Sequence, residues 1–302
     1  MSHLDEFSLF PGQIIVFEGK LIDKNIIATK LYTSATLPQL DSAPNITVPL
    51  QILVASGPFT HLDTMSYEPL NDLLDYVSLH QPNFLFLIGP IMDASHDNVK
   101  NGDVAELFSL YHSRLLDTIS QQLSHTKVFY ISSSKDVFSI PVYPTPPPTY
   151  PEGQDKPKVT VLPDPSLLNI NGCIMGITAT DTLLHLGKKE ISKSEGNRLG
   201  RLAGHLLQQC SFYPLYPPDP DVILDLNLWS QYTRLPVTPH ILVTPSGLHH
   251  FIKVVEGCIV VNPERLAKGL VGGTFASIEV RPKVGEEKWS PSSHISVQIV
   301  KI

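Results

Sequence analysis

FLFLIGPIMDASH, residues Phe84 to His96, is a continuous apolar run that stops at a glycine and then presents an acid and a histidine three residues apart. An apolar run this short, closed by Gly-Pro, is the pattern of a strand buried on both faces of a parallel sheet. Upstream, LQILVAS (50–56) has the same character, and so does KVFYIS (127–132) downstream. Between the first two runs, Pro69 stands where a helix favours its first turn, ahead of Leu70, Leu73, Leu74 and Val77 at helical spacing. Between the second and third, the spacing predicts a helix over Val104 to Leu123, with Leu107, Leu110, Tyr111, Leu115 and Ile119 as one stripe. Strand, helix, strand, helix, strand in this order predicts a layered α/β domain with parallel strands.

The first forty residues read differently. SLFPGQIIVFEGK and NIIATKLYT are β-branched runs joined through Gly19 to Asn25, which predicts a hairpin. A hairpin is not stable alone, so it must pack on something else or belong to a larger domain. Between Pro141 and Pro165 there are nine prolines, too many for a helix or a central strand, and a long surface connector is expected there. Beyond it, Asn171-Gly172 sits between the apolar runs of LLNINGCIMGIT, a strong hairpin signal. The remaining sequence, through HILVTPS, CIVV, TFASIEV and HISVQIVKI, is strand-rich, with turns at Gly269 to Gly273 and Gly285 and no internal repeat.

A chain of 302 residues with 42% hydrophobic content can bury a full core. No apolar run approaches the roughly 20 residues of a membrane-spanning helix. The start MSHLDEFSLF lacks the basic and apolar arrangement of a secretory signal, so an intracellular protein is expected. Cys173, Cys210 and Cys258 have neither zinc-knuckle nor disulfide-framework spacing and read as reduced core thiols. The net charge of −7 argues against a surface whose main work is neutralising phosphates. Lys188 to Arg201 is locally basic but has no interleaved aromatics for base stacking, so it reads as a solvated helix face.

In open α/β sheets chemistry gathers at the carboxyl ends of strands. Five such loops follow the apolar runs: Ser56-Gly57-Pro58, Gly89 to Asp93, Ser132 to Asp136, Thr178 to Asp181 and Thr244 to Gly247. Their spacing resembles that of the calcineurin-like metallophosphoesterases, whose strand ends carry acids, an asparagine and histidines around two metal ions. Against that pattern Ser56 and Pro58 stand where Asp and His belong, Pro90 replaces the bridging Asp, and Ser134-Lys135 replaces Asn-His. Of the ligand positions only Asp93 and Asp136 still carry acids, and two acids alone do not make a binuclear site. Lys135 is expected to put a positive charge where a dication would sit. His96 reads as a polar residue at the start of a helical region. His249 and His250 are expected to point to opposite faces of a strand and so not to share a metal.

Longer stretches carry a second resemblance. SLFPGQIIVFEG, VASGPFT, LIGPIMDASH, FYPLYPP, LPVTPHILVTPSGLHHFIK and VNPERLAKGLVGGTFA resemble the B-subunits of the replicative DNA polymerases over nearly the whole chain. The resemblance implies an inactive phosphoesterase-like two-sheet core with helices outside over residues 49–302. It implies for residues 1–48 the last strands of an incomplete OB domain and a linker, and with them lower stability than a chain carrying the whole domain. It further implies a non-catalytic nuclear subunit with no cofactor, no metal and no membrane contact. That subunit would hold the C-terminal domain of the DNA polymerase alpha catalytic subunit, meet primase subunits through the complex, and touch DNA weakly or indirectly. Two alternatives are a metal-dependent phosphodiesterase or nuclease and a single-strand DNA-binding module.

Within the signature, KGLVGGTF lacks the G-K-[ST] order of a phosphate loop and precedes a strand, so a structural turn is expected. Asn262, Pro263, Arg265 and Lys268 could reach a partner or simply build the turn, and Gly272, Gly273, Thr274 and Phe275 complete the same segment. Phe212, Tyr213 and Tyr216 with Pro214, Pro217 and Pro218 read as an aromatic and proline surface segment, explained equally well by an interface or by a loop folded back on its own domain. No G-x-S-x-G elbow supports a serine hydrolase, and no basic cluster marks Cys210 as a nucleophile.

Overall fold

The computed structural model describes residues 4–32, 36–40, 43–150, 159–194, 196–283, 285 and 288–302. The chain begins with β1 (Phe7–Leu9), β2 (Val16–Ile22) and β3 (Asn25–Tyr32). The alternation that follows is β4 (Leu50–Ser56), α1 (Glu68–His80), β5 (Phe84–Ile88), the single turn α2 (Asp97–Lys100), α3 (Phe108–Gln122) and β6 (Lys127–Ile131). Next come β7 (Thr160–Leu162), β8 (Ser166–Ile170), β9 (Cys173–Ile177), α4 (Thr182–Lys189), β10 (Ile191–Lys193), α5 (Arg198–Gln208) and α6 (Leu226–Tyr232). The last part holds β11 (Ile241–Val243), β12 (Phe251–Val255), β13 (Cys258–Asn262), β14 (Ala267–Lys268), β15 (Val271–Gly272), β16 (Thr274–Val280), α7 (Pro291–His294) and β17 (Ile295–Lys301).

Two sheets organise these elements. One has the order β17-β16-β4-β5-β6-β7 and the other β12-β13-β11-β9-β8. The strands β4 to β7 are mutually parallel, as are β9, β11 and β13, and antiparallel strands flank each set. Strand alternation divides the buried side chains into layers. Ile52, Val54, Phe86, Ile88 and Ile131 meet Met175, Ile177, Ile241, Val243, Ile259 and Val261 between the sheets. Leu53, Ala55, Leu85, Leu87 and Tyr130 turn the other way, onto α1 and α3. Leu242, Val260 and Cys258 leave the far side of the second sheet and meet Leu183, Leu186, Leu202 and Leu206 of α4 and α5. The result is the expected α/β two-sheet core with helices outside, each fully buried Leu or Ile contributing about 2 kcal/mol of transfer free energy. Among the described residues no helix is long and apolar enough to cross a membrane.

Local chemistry explains the element boundaries. Pro69 occupies the first turn of α1, and Gln81 closes it in the left-handed conformation with its N–H on the Val77 carbonyl. The two-residue hairpin loops, Asp23-Lys24, Asn171-Gly172 and Glu256-Gly257, all have positive φ at both positions, which matches the right-handed twist of the strands they join.

Several expectations are corrected. The run SLFPGQIIVF is not one strand: a turn at Pro11-Gly12 splits it, and β1 pairs with β10 while β2 pairs with β3. The helix α3 starts at Phe108 instead of Val104 and is rotated from the predicted stripe. Leu107 and Leu110 are exposed, and His112, Leu116 and Ile119 face the core. The proline-rich connector is not purely surface, because Tyr143 and Thr145 are buried and Thr145 exchanges both backbone hydrogen bonds with Asp164. Its residues 151–158 lie outside the described residues.

Candidate functional site

The strand ends converge through the backbone. The Gly57 N–H donates to the Ile88 carbonyl at 2.8 Å and the Gly89 N–H to the Ile131 carbonyl at 2.9 Å. On the second sheet Thr178 donates to Val243 at 3.2 Å and Thr244 to Val261 at 3.0 Å. Ser56 is fully buried at the end of β4. Pro58 gives its carbonyl to the Ala267 N–H, and the buried Pro90 brings its carbonyl within 2.0 Å of the point where a Cβ at Gly57 would stand.

The two remaining acids are occupied by the loops themselves. Asp136 is buried, and its Oδ1 accepts from the Ile91 N–H at 2.7 Å and the Met92 N–H at 2.9 Å. Its Oδ2 accepts from the Tyr130 hydroxyl. Burial pushes its carboxyl up to about 7, although these three hydrogen bonds work in the opposite direction. Asp93 pairs backbone to backbone with Asp136 and uses its carboxylate to accept the Ser95 N–H at 2.7 Å.

The cation of this region is not the one the sequence pattern suggests. Lys135 is exposed, and Ser134 beside it is half-buried. Arg265 extends instead from the loop after β13, placing Nη1 2.9 Å from Ser56 Oγ and Nη2 3.6 Å from Asp181 Oδ2. Its side chain is 18% exposed, and burial lowers the guanidinium from its ordinary value, against the charges of Asp181 and Asp93. Asp181 also accepts the N–H groups of Leu184, as the cap of α4, and of Gly247. Ser56, Asp181 and Gly247 belong to three different strand-end loops, so one cluster of polar contacts joins both sheets.

The rest of the signature folds the loop that carries Arg265. Asn262 is fully buried; its Oδ1 accepts from the N–H groups of Ser246 and Glu264, and its Nδ2 donates to the carbonyls of Leu248 and His249. The Pro263 carbonyl accepts the Thr274 hydroxyl at 2.6 Å. A Cβ at Gly273 would lie 1.9 Å from the Arg265 carbonyl oxygen, and one at Gly272 2.7 Å from the Ile302 carbonyl oxygen. Phe275 is buried edge-on to Tyr76. Lys268, on β14, pairs with Glu264 at 2.6 Å.

Other sequence-selected residues fall as follows. His96 caps α2 by accepting the Asn98 N–H, and its Nε2 lies 3.0 Å from the His61 carbonyl. Phe212 and Tyr213 are buried, not a surface segment, while Tyr216 is 48% exposed. Cys173 and Cys258 are buried free thiols, the former pushed up to about 12, and Cys210 is half-buried. In the basic stretch Arg201 pairs with Glu190 at 2.7 Å and Lys188 with Asp219 at 3.5 Å, so these cations serve internal contacts. His249 and His250 do not point apart: they precede β12, and both face Glu264. Sequence reasoning passed over Asp164, which accepts from Thr178 Oγ1, the Ala179 N–H and Thr180 Oγ1 and is raised by burial to about 6.

Among the described residues, two clusters bring three metal-ligating side chains together: His249, His250 and Glu264, and His185, Asp219 and Asp221. Neither includes a strand-end residue of the phosphoesterase pattern.

This chain belongs to the DNA polymerase alpha/epsilon B-subunit family, whose profile matches residues 52–253. Within it, the chain is 38% identical over 313 aligned residues to the DNA polymerase alpha B-subunit of Mus musculus, covering 100% of this chain and 52% of that protein. It is 38% identical to the Drosophila melanogaster protein of the same name, over 100% of this chain and 49% of the relative. The chain thus spans about half the length of these curated relatives. Among solved structures, a novel archaeal phosphodiesterase aligns with TM-score 0.37 and 9% identity, over 84% of this chain and 100% of that one. Vacuolar protein sorting 29 of Cryptosporidium parvum aligns with TM-score 0.38 and 9% identity, over 85% and 99%.

Proposed function

We propose that the chain is a non-catalytic accessory subunit of a DNA polymerase alpha–primase complex in the nucleus. In this reading it scaffolds the catalytic subunit during primer synthesis, holding the C-terminal domain of that partner, and it meets primase through the assembly. Residues 49–302 form an inactive phosphoesterase-like core, and residues 1–48 are terminal strands of an OB domain with a linker. Family membership supports the class of protein. One observation at the strand ends supports the absence of catalysis: the Arg265 guanidinium lies between Ser56 and Asp181, a positive charge fixed among the loops where α/β enzymes gather their chemistry. Asp136, the better-placed remaining acid, already accepts three hydrogen bonds from its own loops.

Size-exclusion chromatography of the chain with the C-terminal domain of its own polymerase alpha catalytic subunit tests the scaffold role, with co-elution at equimolar ratio expected. Separate elution of two folded proteins counts against it. Manganese-dependent cleavage of a phosphodiester substrate, abolished by Asp93→Ala, would establish the enzymatic reading in its place. Salt-sensitive binding of an oligonucleotide without partner binding would support the single-strand DNA module.

A further inference from the structure

We propose that His249, His250 and Glu264 form a site for a divalent transition-metal ion of the zinc type, separate from the strand-end cluster around Arg265. The backbone brings the three residues together. Both histidines lie just before β12, outside the strand alternation that would send neighbouring side chains to opposite faces. Their rings stand 4.1 Å apart, centroid to centroid. Glu264 holds a left-handed backbone, φ 60°, at the turn after β13, and projects toward both rings, whereas its neighbour Arg265 reaches Ser56 and Asp181.

The spacing suits an ion. His249 Nδ1 is 3.7 Å from Glu264 Oε1, His250 Nδ1 is 2.9 Å from Oε2, and one ligand atom from each of the three residues lies within 4.8 Å of the other two. Ligands about 2.0–2.1 Å from a tetrahedral zinc stand roughly 3.4 Å from one another. Side-chain adjustments of about an ångström, within the reach of the exposed His249 ring, therefore bring the three atoms onto one ion. Two imidazole nitrogens and a carboxylate are a borderline donor set that favours zinc and its neighbours over magnesium or calcium, which take oxygen cages. Three protein ligands leave a fourth position for water.

The site is closed below and open above. Glu264 is 8% exposed at its base, while His249 is 77% exposed, so an ion can enter from solvent. The carboxylate is held in place before any ion arrives: Lys268 Nζ lies 2.6 Å from Oε2, and the Glu264 N–H is fixed on Asn262 Oδ1 at 2.9 Å. Lys268 is also the competitor, because its ammonium already neutralises the carboxylate. At 42% exposure on a flexible stem, it can turn into solvent when a dication binds. Binding requires both imidazoles unprotonated at the liganding nitrogen, and those protons leave to solvent. The ion would tie the turn after β11 to the turn after β13, across the loop that carries the family signature.

The test is zinc titration of the tag-free chain by calorimetry, repeated with cobalt, whose visible absorption reports a four-coordinate nitrogen and oxygen environment. One saturable ion per chain is expected. Glu264→Gln and the pair His249→Ala with His250→Ala should each weaken binding by at least about tenfold, and Lys268→Ala should tighten it by removing the competing cation. Thermal melting checks that each variant is folded, and Lys268→Ala leaves every ligand in place. Equal zinc affinity in folded wild type and Glu264→Gln overturns the proposal, as does a Lys268→Ala chain that binds no more tightly.

Discussion

At Asp136 the type of side chain and its use part company. An acid at the end of a strand invites a metal reading, but here the carboxylate closes its own loop through two backbone N–H groups and Tyr130. Its folded value of about 7 lies above the ordinary 3.8, so the folded chain keeps a proton that the unfolded chain releases between those pH values. The stability it contributes is complete below about pH 4 and is lost as pH rises through about 7. Asp136→Asn removes this dependence, so its thermal midpoint relative to wild type should move upward between pH 5 and pH 8. A difference that stays flat with pH would refute the assignment. Comparing variant with wild type cancels the opposing contribution of buried His112, which burial lowers to about 4. Gly273 makes a steric prediction at the same scale. Gly273→Ala should cost about 2–3 kcal/mol in denaturant unfolding, because the added carbon meets the Arg265 carbonyl. Gly102→Ala, with positive φ but open space, should cost about 1 kcal/mol. Ser56, Pro58 and Pro90 are strand-end residues that the sequence alone marks out. The cation that stands beside them was not, because Arg265 arrives from a loop more than two hundred residues away from Ser56.

Elements differ sharply in how much of them is fixed by packing. The strands β4, β5, β9, β11 and β13 are buried almost throughout, whereas every residue of β2 is exposed and β3 is mostly so. Opening free energy follows buried contact. Amides of β2 and β3 should therefore exchange with deuterium much faster than those of β5 and β9, and comparable protection would show that the hairpin is covered in solution. The buried strands were readable because a continuous apolar run has few other uses. The apolar spacing misplaces the buried face of α3 because His112, a polar residue by type, is a core residue packed edge-on to Tyr130. The hairpin of β12 and β13 was missed although VVEGCIVV carries the signal, an acid and a glycine between two β-branched runs.

For the whole molecule, cohesion depends on the layer between the two sheets. Met175 is fully buried there, paired in register with Ile241 of the neighbouring strand. Met175→Ala should lower unfolding free energy by about 2–5 kcal/mol, with both sheets lost in a single denaturant transition. Two separated transitions would mean that the sheets unfold as independent units. The strand and helix order announced an α/β layer plan, but the partition of strands into two sheets required long-range pairing: β16 and β17 return to β4 from the far end of the sequence. At this scale the Arg265 contact takes on a further meaning. A joint between two sheets made by a bound ion has an occupancy that falls when the ion is diluted or captured by a stronger ligand. A guanidinium carried by the chain has no free concentration to fall. The join among Ser56, Asp181 and the loop after β13 therefore needs no supply of any ion, and its occupancy follows folding.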